Sequence, residues 1–265
     1  VRAFDVLAPL FDERFGEWKS VAAQRRAVRR RLLATFEEGA SLIELGGGTG
    51  EDALFLAERG RRVLVTDGAP AMVALAAGKA RAAGLADRVV AERVSLEELD
   101  TWTAARQGTI FDGAFSNFAS LNCVTDHASV AHGLARLLPP GRRAILVVFG
   151  PCCPGEILVL LARGEARAAF RRLAGSPAPA RLGGESFTVT YPSPRTLADA
   201  FAPWFHLQGT RGVGVFVPPS SAEPAASRFP RLLGALERLD RLAARPLALL
   251  GDHVLCDFER TSVPA

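Results

Sequence analysis

Within residues 1–40 the apolar positions recur at helical spacing. Val21, Val28, Leu32, Leu33 and Phe36 are separated largely by Arg25, Arg26, Arg29, Arg30 and Arg31, which describes a helix with one apolar face and one charged face. Gly39 supplies a stop signal. From Ser41 onward the pattern changes to short apolar runs alternating with helical stretches. The runs are Ser41–Leu45, Arg62–Thr66, Arg88–Val94, Ile110–Phe115 and Ala144–Phe149. The helices between them are Asp52–Arg59, Pro70–Ala83 and Asp126–Leu138. Strands that are apolar at consecutive positions are buried on both faces, as in a parallel sheet covered by helices.

Beyond Phe149 the rhythm breaks. Pro151–Pro192 contains a helical stretch, Ile157–Leu173, then a Pro/Gly-rich loop and an alternating strand at Ser186–Tyr191. Leu197–Phe201 reads as helix and Phe205–Val217 as strand. Ser220–Leu250 reads as a helical insertion and His253–Phe258 as a last strand. The economical organisation is an N-terminal helical cap (1–40) on one α/β domain (41–265) with insertions at 151–192 and 218–250.

Composition narrows the class. At 265 residues, 49% hydrophobic and 23% charged, the chain can build a sizeable core, which excludes disordered and coiled-coil readings. The longest apolar stretch, around Ala144–Leu161, is interrupted by Gly150, Pro151, Pro154 and Glu156, too early to span a bilayer. The first residues show no apolar run ending in a cleavage site. Cys123, Cys152, Cys153 and Cys256 form no C-x-x-C pair, so no metal site is expected and a reducing, cytoplasmic setting is. The net charge of +4 is almost all arginine, lysine occurring only at Lys19 and Lys79. The arginines of 25–31 lack interleaved aromatics that would stack on bases. They read as a solvated helix face, with no nucleic-acid partner expected.

The chemistry concentrates in Glu44-Leu45-Gly46-Gly47-Gly48-Thr49-Gly50. This segment follows a strand and opens a helix, where ligands approach the carboxyl ends of a parallel sheet. A dinucleotide fingerprint counted from Gly46 requires Gly or Ala where Glu51 stands. Glu44 would also oppose a pyrophosphate, and it suits a cationic ligand such as the sulfonium or ammonium of S-adenosylmethionine. Asp67, about twenty residues further at the next strand end, can accept hydrogen bonds from both ribose hydroxyls. Asp67 is equally compatible with a nicotinamide cofactor.

Several segments together resemble the class I S-adenosylmethionine-dependent methyltransferases. Glu44–Gly50 is similar to their E/D-x-G-x-G-x-G motif, and Val63–Gly68 with Met72 to their second motif. Phe111–Asn117 resembles the fourth strand and its acceptor-side loop, and Leu134–Arg142 the turn L-x-x-L-L-x-P-G-G, with Arg142 in place of the second glycine. Residues 4–15 resemble the opening YD-x-x-A-x-x-YD of the ubiquinone/menaquinone-type branch, with Phe4 and Phe11 at the tyrosine positions. The resemblance implies a Rossmann-like, doubly wound, mostly parallel seven-stranded sheet with an antiparallel last strand. It implies S-adenosylmethionine as cofactor and S-adenosylhomocysteine as product. The implied cofactor residues are Glu44, Gly46, Gly47, Gly48, Gly50, Asp67, Gly68, Met72, Ser95, Leu96, Ser116 and Asn117. Ser95 stands where the family usually has an Asp for the adenine amino group.

Methyl transfer from a sulfonium is an in-line displacement whose main demand is positioning. A base is needed only when the acceptor arrives protonated. Asn117-Phe118 lacks the Pro-Pro-Tyr continuation of exocyclic-amine methyltransferases, so nucleobase and glutamine acceptors are not expected. Candidate catalytic groups are His127, behind an Asp126 N-cap, and Tyr191. His132, His206 and His253 are the other histidines, the last two at strand starts. The expected acceptor pocket uses Phe118, Asn122, Cys123, Ile157, Leu161 and Tyr191, closed by 151–192 and the N-terminal helix, and takes a hydrophobic or aromatic small molecule. Two alternatives stay open: a nicotinamide-dependent oxidoreductase, and a non-catalytic methyltransferase-fold subunit that activates a partner.

Overall fold

The computed structural model describes all residues except 1, 107, 175, 176 and 183. Two helices open the chain, α1 (Arg2–Gly16) and α2 (Lys19–Thr35), so the predicted N-terminal helix is divided at residues 17–18. The alternating part follows as β1 (Ser41–Leu45), α3 (Glu51–Ala57), β2 (Arg62–Asp67), α4 (Pro70–Ala82), β3 (Val89–Arg93), α5 (Leu99–Ala104), β4 (Gly113–Ser116), α6 (His127–Leu137) and β5 (Arg143–Phe149). Then come α7 (Pro154–Ala162), α8 (Ala166–Ala169), β6 (Ala178–Leu182), β7 (Glu185–Val189), α9 (Pro194–Phe201), β8 (Phe205–Val213), α10 (Pro230–Ala243) and β9 (His253–Arg260).

Seven strands form one sheet in the order β3-β2-β1-β4-β5-β9-β8. The first five are mutually parallel. β9, last in the chain, runs antiparallel between β5 and β8. This is the expected doubly wound sheet with its antiparallel last strand. Strand residues alternate between two buried layers. Ile43, Leu45, Ala144, Leu146 and Val148 pack with Leu134, Leu197 and Phe201 of α6 and α9. Leu42, Val63, Val65, Ile145 and Val147 pack with Val28, Leu32, Leu56 and Ala76 of α2, α3 and α4. Both faces are therefore dry, which explains the continuous apolar runs.

Three elements differ from the sequence reading. Ile110 is 63% exposed and β4 starts only at Gly113, because the chain joins the sheet after Asp112, whose carboxylate accepts from Ser41 N–H. The expected helix Ile157–Leu173 breaks at Gly164, where φ is +76°, into α7, α8 and a 3₁₀ turn at Arg171–Ala174. The Pro/Gly-rich loop contains β6, which pairs with β7 as a separate hairpin.

The arginines of α2 are tied to carboxylates, although Arg26 and Arg30 stay exposed as a solvated face would. Arg25 and Arg29 grip Asp52 at 2.8 and 2.6 Å, Arg26 and Arg30 bind Glu237 of α10, and Arg31 pairs with Asp257 of β9. The row is a clasp between the first helices, the sheet and α10. The 218–250 insertion is only partly buried. Leu233 is covered, while Phe229, Leu232 and Leu239 are 61%, 56% and 46% exposed. No helix among the described residues is long and apolar enough to cross a membrane.

Candidate functional site

The strand order turns back at the β1–β4 junction, and the loops after β1, β2, β3, β4 and β5 gather at that carboxyl edge. The Gly46–Gly50 loop leaves β1 through a turn that side chains would block. Gly46 has φ +62°, and a Cβ there would lie 2.4 Å from Cβ of Ser120. At Gly47 a Cβ would meet the Glu44 carboxyl group at 2.8 Å, whereas above Gly48 there is open space. The loop therefore packs tightly against the sheet below and is bare above. Asp67 fixes it from β2: its carboxylate accepts from Gly48 N–H at 2.9 Å and Ala69 N–H at 2.8 Å. Gly68 continues the same turn.

Glu44 is buried beneath this loop, and its Oε2 has no hydrogen-bond partner among the described residues. Burial pushes its carboxyl well above the usual range; Asp52 adds to the rise, and Arg25 and Arg29 oppose it. Burial also raises Asp67, against the two N–H groups it accepts from. An unmet buried carboxylate oxygen at a bare glycine loop is the place for a cationic, hydrogen-donating group.

Helix α1 roofs the same region. Asp5 accepts from Ala71 N–H at 2.9 Å, and Asp12 binds Thr49 and Lys79 at 2.7 and 2.8 Å. Met72 is buried with Ala8 and Ala69 under Phe4 and Phe11. On its other side α1 touches the inserted hairpin through Arg2–Glu185 at 3.2 Å and Phe4–Phe187 at 5.5 Å. Ser95 and Leu96 begin a 3₁₀ turn at the end of β3, where the Ser95 hydroxyl caps the turn in a reciprocal arrangement with Glu98.

The loop after β4 is held under strain. Phe118 and Ala119 have φ of +51° and +65°, a region costing side-chain-bearing residues roughly 1–3 kcal/mol each. Their neighbours impose it. Ser116 Oγ bonds to Leu45 carbonyl at 2.9 Å, Asn117 Nδ2 donates to Asp52 at 2.8 Å, and Arg25 stacks 4.5 Å over the Phe118 ring. Asn122 is consumed by structure: it donates to Thr190 carbonyl at 2.6 Å and accepts from Phe149 N–H at 3.0 Å. It thus stitches the 151–192 insertion to β5. Burial pushes the Cys123 thiol up to about 11, so it remains protonated at neutral pH.

His127 donates Nε2–H to Leu121 carbonyl at 3.1 Å, which leaves Nδ1 as its only basic nitrogen, and burial lowers its pKa. Tyr191 accepts from Arg171 at 3.0 Å and lies 5.9 Å from the Phe149 ring. Ile157 is half-buried on α7, and Leu161 is 43% exposed at its end.

Sequence reasoning gave little weight to His253. It opens β9 opposite Phe149, stacks on that ring at 5.0 Å and meets Phe118 edge-on at 5.7 Å. Its Nδ1 is buried without a hydrogen-bond partner among the described residues, 3.6 Å from Asp252. Asp252 is in turn held by Arg172 at 2.7 Å and Gln24 at 3.2 Å, and Arg172 also binds Glu156 at 2.7 Å. Only the start-of-strand position was visible in the sequence; the network joins residues far apart in the chain. Two surface hollows, of about 620 Å³ beside Gly39 and Arg61 and about 420 Å³ beside Arg211 and Arg245, lie away from this edge.

Residues 42–141, which contain the glycine loop, Asp67 and the β4 loop, match the family model described as a methyltransferase domain. This segment is a methyltransferase domain by that match, on a Rossmann-like sheet. No curated protein matches the chain at a significant level. Among solved structures, the [4+2]-cyclase SpnF superposes with TM-score 0.62 at 16% identity, over 98% of this chain and 95% of that one. An S-adenosylmethionine-dependent methyltransferase from Mesorhizobium loti gives 0.54 at 20% identity, over 90% and 98%. Geranyl diphosphate C-methyltransferase from Streptomyces coelicolor A3(2) gives 0.55 at 14%, over 89% and 79%. At these identities the likeness is one of fold. A cyclase stands among the neighbours of this methyltransferase domain, so fold alone does not dictate the reaction.

Proposed function

We propose that this chain transfers a methyl group from S-adenosylmethionine to a small hydrophobic or aromatic acceptor. The observation that carries the reading is the meeting of two unlike halves at one sheet edge. One half is a bare glycine loop above an unpartnered buried carboxylate. The other is an aromatic corner of Phe118, Phe149, Tyr191 and His253.

Glu44 would hold the cationic amino-acid end of the cofactor, Asp67 its ribose, and Gly46–Gly50 its path over the sheet. Met72, Ser95 and Leu96 would border the adenine, with Gly68, Ser116 and Asn117 completing the cradle. When bound, the cofactor supplies a methyl group already activated on sulfur. The remaining work belongs to this chain's own side chains: orientation of the acceptor, exclusion of water and acceptance of a proton. Phe118, Ile157 and Tyr191 orient an apolar acceptor, and α1 with the 151–192 insertion excludes water. His253 sits nearer the aromatic corner than His127 and has Asp252 beside its Nδ1 to favour the imidazolium, although burial, with Arg172 adding to it, lowers its pKa overall. Asn122 and Leu161 serve the insertion's attachment and outer surface rather than the acceptor. Four free thiols suit a reducing compartment such as the cytoplasm. With the α2 arginines paired to carboxylates, that helix offers no phosphate-binding row to nucleic acid.

The test is incubation with methyl-labelled S-adenosylmethionine and an organic extract of cells. Label should appear in an organic-soluble product, and Ile157→Ala should reduce its formation while leaving S-adenosylhomocysteine affinity unchanged. Label transferred only to protein or nucleic acid in a whole lysate would contradict the acceptor class.

A further inference from the structure

Helix α10 carries its charges in an uneven way. Its two carboxylates both point inward. Glu237 accepts from Arg26 at 2.8 Å and Arg30 at 3.0 Å, and Asp240 is buried, accepting from Phe216 N–H at 2.5 Å. Leu233 and Ala243 complete the covered face. On the outside Leu232, Leu239 and Leu242 are 56%, 46% and 79% exposed. At 100° per residue they fall within an arc of about 80°. Arg231, Arg238 and Arg241, also exposed, occupy the adjoining arc of about 80°. None of these three arginines has an ion-pair partner among the described residues.

Single exposed leucines are ordinary on protein surfaces. A leucine row beside an arginine row, with every carboxylate of the helix turned away, is a cationic amphipathic face. We propose that the outer face of α10 docks this chain onto a lipid bilayer carrying anionic headgroups. The leucines enter the boundary between headgroups and acyl chains, and the arginines beside them pair with lipid phosphates. The helix lies on the bilayer; at 14 residues it is too short to span one. The charge pattern disfavours the other occupants. A twofold contact with a second copy would set the arginine row against itself with no outward carboxylate to answer it. A nucleic-acid backbone would satisfy the arginines and leave the leucines in water. The inference does not depend on methyl transfer.

The experiment is co-sedimentation of the full chain with vesicles of phosphatidylcholine alone or mixed with phosphatidylglycerol. The chain should pellet with the mixed vesicles, remain in solution with the neutral ones, and be released as salt is raised. Arg238→Gln with Arg241→Gln should weaken binding to mixed vesicles roughly thirtyfold, and Leu239→Gln with Leu242→Gln by at least tenfold or so. All four side chains are exposed, so circular dichroism and melting temperature should match the wild type. Failure to pellet with mixed vesicles, equal pelleting with both kinds, or unaltered binding by the variants would overturn the proposal. So would a dimer in solution that Leu239→Gln with Leu242→Gln dissociates, since a second copy would then cover the face.

Discussion

Glu44 and Asp67 are carboxylates that pay for their position through desolvation, and both are raised by burial. Each keeps its proton to a higher pH than an exposed carboxylate does. A ligand ammonium at Glu44 and ribose hydroxyls donating to Asp67 both require the ionised form. Affinity for S-adenosylhomocysteine should therefore fall as pH drops through the two raised pKa values, and level off above them. Calorimetry across that range checks the sign. Glu44→Gln should weaken binding and flatten part of the slope; an unchanged slope would remove Glu44 from the site. Asp67→Ala should cost about 1.5–3 kcal/mol of binding free energy. Both carboxylates were legible in the sequence because each ends a strand beside a glycine turn. The bridging role of Asn122 and the network of Arg172 and Asp252 were not, because their partners lie far along the chain, as in the contact of Arg172 with a residue 80 positions away.

At the scale of elements, the 151–192 insertion stands on one buried ion network. Arg172, Glu156 and Asp252 are 6%, 5% and 2% exposed, and Arg172 also donates to Asp252 carbonyl at 2.6 Å. Arg172→Met would leave buried Glu156 with Arg171 alone and buried Asp252 with Gln24, and a loss of about 3 kcal/mol is expected, read from urea unfolding. Adding Glu156→Gln and Asp252→Asn should recover much of it, since the underpaired charges are then gone. Leu161→Ala, at an exposed position, should change stability by less than about 0.5 kcal/mol. Strand and helix alternation was readable up to Phe149, where burial on both faces writes itself as apolar runs. Inside the insertion the signal fails for physical reasons. Gly164 interrupts an otherwise helical stripe, and β6 contains Pro179 and pairs only with its own hairpin partner. Short α5 also went unseen, since Asp100, Thr101 and Thr103 contribute little helical pattern.

Taken whole, the molecule places a cofactor cradle and an aromatic corner side by side, with α1 and the insertion above both. This arrangement is a consequence of strand order: β1 and β4 are neighbours, and β9 returns antiparallel so that His253 arrives at the carboxyl end of β5. That the first five strands run parallel was legible from the strand-helix rhythm, though their order was not. The placement of β9 between β5 and β8 follows from packing Phe258, Cys256 and Val254 into the layer of α6 and α9, which no local pattern announces. In the proposed function the cradle binds the adenosyl cofactor. The most direct measurement of this is a calorimetric titration of the full chain with S-adenosylhomocysteine at neutral pH. Saturable one-to-one binding that Asp67→Ala weakens is the expected result. No binding at high-micromolar ligand, together with enhanced NADH fluorescence on mixing, would contradict it.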